Sequence, residues 1–242
     1  MKIVSLGSNE NTIDDSIEEL QKLCKEIMTE IKDFERSRET GKMKQLIIYI
    51  HGKGGNAMEA DHYKTLFAGY DVVGIDYHAD NPWDAISEFK EFFHRYRQGY
   101  DSIILIANSI GAYFSMCALN NEQVDKAFFI SPIVDMEKLI IDMMGWADIT
   151  EEKLREKQLI TTGFGETLSW EYLCYVRNHP VNWSVPTYIL YGDKDNLTSQ
   201  ETIHKFANDA NAELTIMQNG EHWFHTAEQM SFLDDWIKKY IG

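Results

Sequence analysis

Residues 102–111 read Ser-Ile-Ile-Leu-Ile-Ala-Asn-Ser-Ile-Gly. A short apolar, β-branched run ends abruptly in Ala107-Asn108-Ser109-Ile110-Gly111, and a helix-like stretch follows at once. Strand, sharp serine-bearing turn and helix together make the pattern of a nucleophile elbow. Such a turn forces Ser109 into a strained backbone geometry, and larger side chains two residues before or after it would collide across the turn. Ala107 and Gly111 fill those two places. Glycine is usual at the first, and alanine is the next smallest choice. Taken alone, the same residues also fit an ordinary tight strand-to-helix turn, so the surrounding sequence has to decide.

Working outward, short apolar runs recur at 46–50, 72–75, 103–106, 127–130, 188–191 and 214–217. Runs without a polar face suit strands covered on both sides, as in a parallel sheet. Helical patterns separate them. Asn81-Pro82 opens one with an N-cap and a proline at the first helical position, and it continues through Phe89, Phe92 and Phe93. Thr198 with Glu201 suggests a capping box for a later helix. Met230, Leu233, Ile237 and Tyr240 recur at helical spacing near the end of the sequence. The alternation predicts an α/β fold with a mostly parallel, doubly wound sheet and helices on both faces.

Two regions break that rhythm. Residues 12–35 predict an amphipathic helix with Ile13, Ile17, Leu20, Cys24, Ile27, Ile31 and Phe34 on one stripe, followed by a polar linker over 36–42. Residues 133–183 are too long for a simple crossover and predict a helical insertion. Lying over the carboxyl edge of the sheet, where sites in open α/β folds gather, it would act as a lid. The expected organisation is an N-terminal extension over 1–44, a core over 45–132 and 184–242, and a lid over 133–183. In the lid, Met143, Trp146 and Trp170 are the candidate substrate-binding residues.

Composition narrows the class of protein. The 242 residues suffice for one large domain. A formal charge of −16 disfavours nucleic acid and anionic membranes, both of which need stripes of Lys and Arg. No apolar run is long enough for a membrane span, and the first residues turn polar too soon for a secretory signal. Cys24, Cys117 and Cys174 are far apart and odd in number, which suggests buried reduced thiols rather than disulfides or metal ligands. These features together point to the cytoplasm and to a small-molecule substrate. Oligomeric state is not legible.

A serine hydroxyl is a poor nucleophile near neutral pH. It needs a base within hydrogen-bond reach, and the base needs a third group to hold its tautomer. After the run at 188–191 comes Gly192-Asp193-Lys194-Asp195, a turn with two acids. After the run at 214–217 comes Asn219-Gly220-Glu221-His222 and then the last helix. Ser109, Asp195 and His222 therefore stand at successive strand ends in the order Ser, Asp, His. Directly after the first run, His51-Gly52-Lys53-Gly54-Gly55 forms a glycine-rich loop. It lacks the Gly-Lys-Ser/Thr ending of a phosphate loop.

On these motifs the chain over roughly 45–242, apart from the insertion, resembles the α/β-hydrolase superfamily. The resemblance implies Ser109 as nucleophile, His222 as general base and Asp195 as the acid that orients it, with Asp193 and His225 as rivals. It also implies an oxyanion hole from the backbone amides of Ile110 and of Lys53, with Gly54 as the alternative to Lys53. No cofactor and no metal is implied. The expected activity is hydrolysis of a small, partly apolar carboxylic ester or thioester through an acyl-enzyme. Alternatives on the same residues are an aminopeptidase or amidase, an acyltransferase, a carbon–carbon hydrolase, or a binding protein without catalysis. An aminopeptidase would need acids for the substrate amine, for which Asp142, Glu166 and Glu171 are available.

Overall fold

Strands that are apolar on both faces need cover on both sides, and the computed structural model of the chain supplies it. The structure describes residues 43–241 together with Gln21, Lys22, Cys24, Lys25 and Met28. The chain divides into two units, Met1–Lys44 and Gln45–Gly242. In the first, Gln21, Lys22, Cys24, Lys25 and Met28 are helical, while Met43 and Lys44 lead without regular structure into the second. The rest of the helix expected over 12–35, and its linker, lie outside the described residues.

The second unit contains, in chain order, β1 (Gln45–Ile50), α1 (Ala60–Leu66), β2 (Asp71–Ile75), α2 (Pro82–Arg97), β3 (Ser102–Asn108), α3 (Ile110–Leu119) and β4 (Lys126–Ile130). There follow α4 (Met136–Trp146), α5 (Glu151–Lys157), β5 (Leu159–Thr161), β6 (Thr167–Ser169) and α6 (Trp170–Asn178). Then come β7 (Thr187–Gly192), α7 (Gln200–Asp209), β8 (Glu213–Met217) and α8 (Ala227–Ile241). Six strands pair in parallel in the order β2-β1-β3-β4-β7-β8. Strand order reverses between β1 and β3, where open α/β sheets form a crevice beyond their carboxyl ends.

Strand periodicity sorts the side chains into two layers. Leu46, Ile48 and Ile50 of β1 pack with Ala85, Phe89 and Phe93 of α2 and with the buried residues of α3. Ile47 and Tyr49 pack on the other face with Tyr63 of α1 and with Leu233, Trp236 and Ile237 of α8. Helix starts follow local chemistry. The Asn81 side chain accepts from Asp84 N, with Pro82 at the first helical position. The cap of α7 falls on Ser199, one residue later than expected, and Ser199 Oγ accepts from Thr202 N at 3.2 Å. Thr198 is unsuited to that task because its buried hydroxyl donates to Pro132 O at 3.1 Å.

Between β4 and β7 the chain forms three helices and one antiparallel hairpin, β5–β6. The hairpin departs from the helical insertion expected over 133–183. Its strands have three residues each, too few for a periodic signal, and only Gly163 and Gly165 in the turn hint at it. Arg177 of α6 ties the region together. Its guanidinium donates to Glu137 of α4 at 2.7 Å and forks onto Glu151 of α5 at 2.8 and 2.6 Å.

The thiols also differ from expectation. Cys24 is exposed, while Cys117 and Cys174 are half-buried. Cys117 lies on α3 beside the core, and burial pushes its thiol up to about 11. No helix among the described residues is long and apolar enough to cross a membrane.

Candidate active site

All four sequence motifs emerge at the carboxyl edge of the sheet, beyond β1, β3, β7 and β8. Ser109 sits between β3 and α3 with φ 51° and ψ −120°. A non-glycine residue in that region carries strain of order 1–3 kcal/mol, which the surroundings must offset. Ser109 N donates to Ile130 O at 3.0 Å, and Ser109 O accepts from Ala112 N and Ile133 N at 3.2 and 3.1 Å. The turn leaves no room at Gly111, where a Cβ would lie 2.4 Å from His51 O and 2.8 Å from Ile50 Cγ2. Gly111→Ala should therefore force β1 and α3 apart. We expect a stability loss of about 1–3 kcal/mol, read as a lower urea midpoint, and an unchanged midpoint would show that the turn has slack.

Ser109 Oγ lies 2.8 Å from His222 Nε2, and His222 Nδ1 lies 2.7 Å from Asp195 Oδ2. The Asp195 side chain is fully buried and that of His222 is 16% exposed. The other oxygen, Asp195 Oδ1, accepts from Leu197 N and Thr198 N at 2.8 and 3.0 Å. A buried carboxylate so engaged is fixed in direction, and it holds a proton on Nδ1 so that Nε2 faces the hydroxyl as an acceptor. Asp193 has a different task. Its Oδ1 accepts from Asn219 N at 2.7 Å, and Lys194 N donates to Gly220 O at 2.8 Å. These bonds zip the loop after β7 to the loop after β8 and set His222 opposite Asp195. His225 stays apart, with its ring stacked on Trp223 and Nδ1 2.7 Å from Trp223 O.

The loop over 51–55 packs against the serine; a Cβ on Gly52 would stand 3.2 Å from Ser109 Cβ. Ile110 directly follows Ser109 and Lys53 directly follows Gly52, and neither backbone amide donates to a loop, turn or cap acceptor among the described residues. His51 is buried, stacks on Tyr77 at 4.2 Å between centroids, and contacts Gly52 O through Nδ1 at 2.8 Å. The Lys53 ammonium forms an ion pair with Glu166 in the β5–β6 turn.

Two cavities meet at Ser109. The first, of about 930 Å³, includes Ile110, Ile133, Met136, Leu139, Ile140 and Met143 and reaches the hairpin. Trp146 and Phe164, 53% and 47% exposed, meet edge-to-face at its mouth. The second, of about 790 Å³, includes His222, Trp223 and His225 with Tyr49, Glu59 and Tyr63. Met143 and Trp146 thus lie where a substrate could touch them. Trp170 does not; it packs against the core. It opens α6 two residues before Tyr172, and a helix turns about 100° per residue, so Tyr172 faces the cavity and Trp170 faces away. Sequence reasoning missed Tyr172 and Phe164. The 136, 140, 143 spacing on α4 was the available sign for the rest of that wall. Among the described residues, no group of three or more His, Cys, Asp or Glu is arranged to hold a metal ion.

No protein-family model and no curated sequence matches the chain. Solved structures do. A candidate hydrolase from Agrobacterium vitis S4 matches with TM-score 0.68 at 15% identity, over 82% of this chain and 88% of its own. Alpha/beta hydrolase domain-containing protein 10 from mouse matches with TM-score 0.65 at 15% identity, over 81% and 89%. A propionate-bound esterase from Thermogutta terrifontis matches with TM-score 0.57 at 19% identity, over 82% and 83%. Together with the parallel strand order and the turn at Ser109, these likenesses show that this chain has the α/β-hydrolase fold.

Proposed function

We propose that the protein is a serine hydrolase that cleaves a small, partly apolar carboxylic ester or thioester through an acyl-enzyme. The observation that carries the reading is the unbroken hydrogen-bond path Ser109 Oγ, His222 Nε2, His222 Nδ1, Asp195 Oδ2. As Ser109 Oγ bonds to the acyl carbon, its proton passes to His222 Nε2, and Asp195 stabilises the imidazolium. The carbonyl oxygen becomes an oxyanion beside the Lys53 and Ile110 amides. Collapse breaks the bond to the leaving oxygen or sulfur, which takes the proton from His222. Water then adds to the acyl carbon, gives its proton to His222, and the acid departs as Ser109 regains its hydrogen.

The two cavities divide the substrate. A leaving group must lie where His222 can protonate it, and His222 borders the second cavity alone of the two. The acyl chain then occupies the first, whose Met, Leu and Ile walls suit an alkyl group. The three acids noted for an aminopeptidase are not free in the acyl cavity. Glu166 pairs with Lys53 and Asp142 with Lys138, while Glu171 lies outside the cavity.

A fluorophosphonate should label wild-type protein at Ser109, and p-nitrophenyl esters should be turned over. Absence of both would end the hydrolase reading. Met143→Trp should shorten the preferred acyl chain by two carbons or more across a p-nitrophenyl ester series. An unmoved optimum would place the acyl chain elsewhere.

A further inference from the structure

On the hydrolase reading, the leaving group occupies the cavity that holds His222, and we propose that Glu59 makes this cavity select a cationic alcohol. Glu59 lies at the end of the short 3-10 turn Ala57–Glu59 that follows the loop over 51–55, and it borders the second cavity and not the first. Its carboxylate accepts from the Tyr49 hydroxyl and, through Oε1, from Asn56 N at 3.1 Å. Tyr49 in turn accepts from Asn108 Nδ2 at 2.8 Å, next to Ser109 itself. Burial, reinforced by Tyr63 and Glu59, keeps the Tyr49 phenol protonated, so it remains a donor. These bonds fix where the carboxylate sits relative to the serine.

The charge on Glu59 has no cationic partner among the described residues. The basic side chains bordering the same cavity are engaged elsewhere, His222 with Ser109 and Asp195. Lys53 pairs with Glu166 on the side of the other cavity, and His62 lies 2.7 Å from Asp234. His225 is held through Nδ1 by Trp223 O. An exposed, directed carboxylate without a counter-ion, bordering the cavity that holds Ser109 and His222, attracts a positive group on the substrate. Trp223, 73% exposed, adds an aromatic surface of the kind that ammonium groups favour. The formal charge of −16 favours approach of a cationic substrate over an anionic one.

The test uses the full chain and three esters of one acid: butyrylcholine, its neutral isostere 3,3-dimethylbutyl butyrate, and p-nitrophenyl butyrate. Intrinsic reactivity differs between the alcohols, so the informative quantity is how the choline-to-isostere ratio of kcat/KM changes on substitution. We expect Glu59→Gln to lower that ratio at least fivefold. We also expect the wild-type ratio to fall at least threefold between 20 mM and 500 mM salt, as screening requires. The salt measurement stands even where the variant fails to fold. A ratio that moves less than twofold in both experiments overturns the inference while p-nitrophenyl butyrate turnover leaves the hydrolase reading intact. No turnover of any of the three esters overturns both.

Discussion

Ser109→Ala is expected to lower kcat for p-nitrophenyl butyrate by at least about 10⁴-fold while leaving the fold and the cavities in place. The change removes one oxygen. Alanine keeps the Cβ that the turn already accommodates, and the backbone bonds to Ile130, Ala112 and Ile133 involve no side-chain atom. What is lost is the atom that bonds to the acyl carbon and the proton that His222 receives at 2.8 Å. Losses of about 10⁶-fold are known for nucleophile removal in a serine hydrolase triad, with residual rate from binding and oxyanion contacts alone. The measurement is steady-state turnover beside a urea melt of the same preparation. A variant that keeps a tenth of wild-type activity, with an unaltered melt, would mean that another group forms the acyl-enzyme or that none does.

Much of this arrangement was legible because it is written in local rules. Six apolar runs announced six strands, and small residues flanking Ser109 announced the turn, since sterics there act over two residues. Chain order then pointed to the two-acid turn after β7 and to His222, because successive strand ends meet at one edge of a parallel sheet. Other features depend on contacts that no short window contains. Asp193 and Asp195 are indistinguishable in a turn until Asn219 and His222 arrive from the next loop to claim one each. Trp170 reads as a wall residue by type, and only the start point of α6 turns it toward the core. The β5–β6 hairpin is held by three residue pairs and by tertiary surroundings, so its residues carry no periodic signature. Glu59 closes the capping box of its own short turn, and its place in the cavity of the serine depends on Tyr49 and Asn108 meeting from neighbouring strands.

The largest remaining effect separates the two acids. Asp195→Asn is expected to lower kcat by about 10⁴-fold, the scale seen when a triad carboxylate becomes an amide and the histidine adopts the wrong tautomer. Asparagine is isosteric and can still accept from Leu197 N and Thr198 N through its carbonyl. Its amide nitrogen would then face His222 Nδ1 as a donor. The imidazole answers by carrying its proton on Nε2, which can no longer accept from Ser109. Asp193→Asn should behave otherwise, because its partner is the Asn219 amide and an amide carbonyl can accept that bond as well. We expect it to retain activity within about tenfold and to lose about 0.5–1.5 kcal/mol of stability at most, the net value of one hydrogen bond. A pH profile distinguishes a tautomer defect from misfolding. In Asp195→Asn, activity should recover in part at high pH, where hydroxide replaces the imidazole as base, whereas a distorted loop would recover nothing. Were Asp193→Asn the more damaging change, the carboxylate serving His222 in solution would be the one that now bonds Asn219, and the loops after β7 and β8 would have to shift register to bring it there.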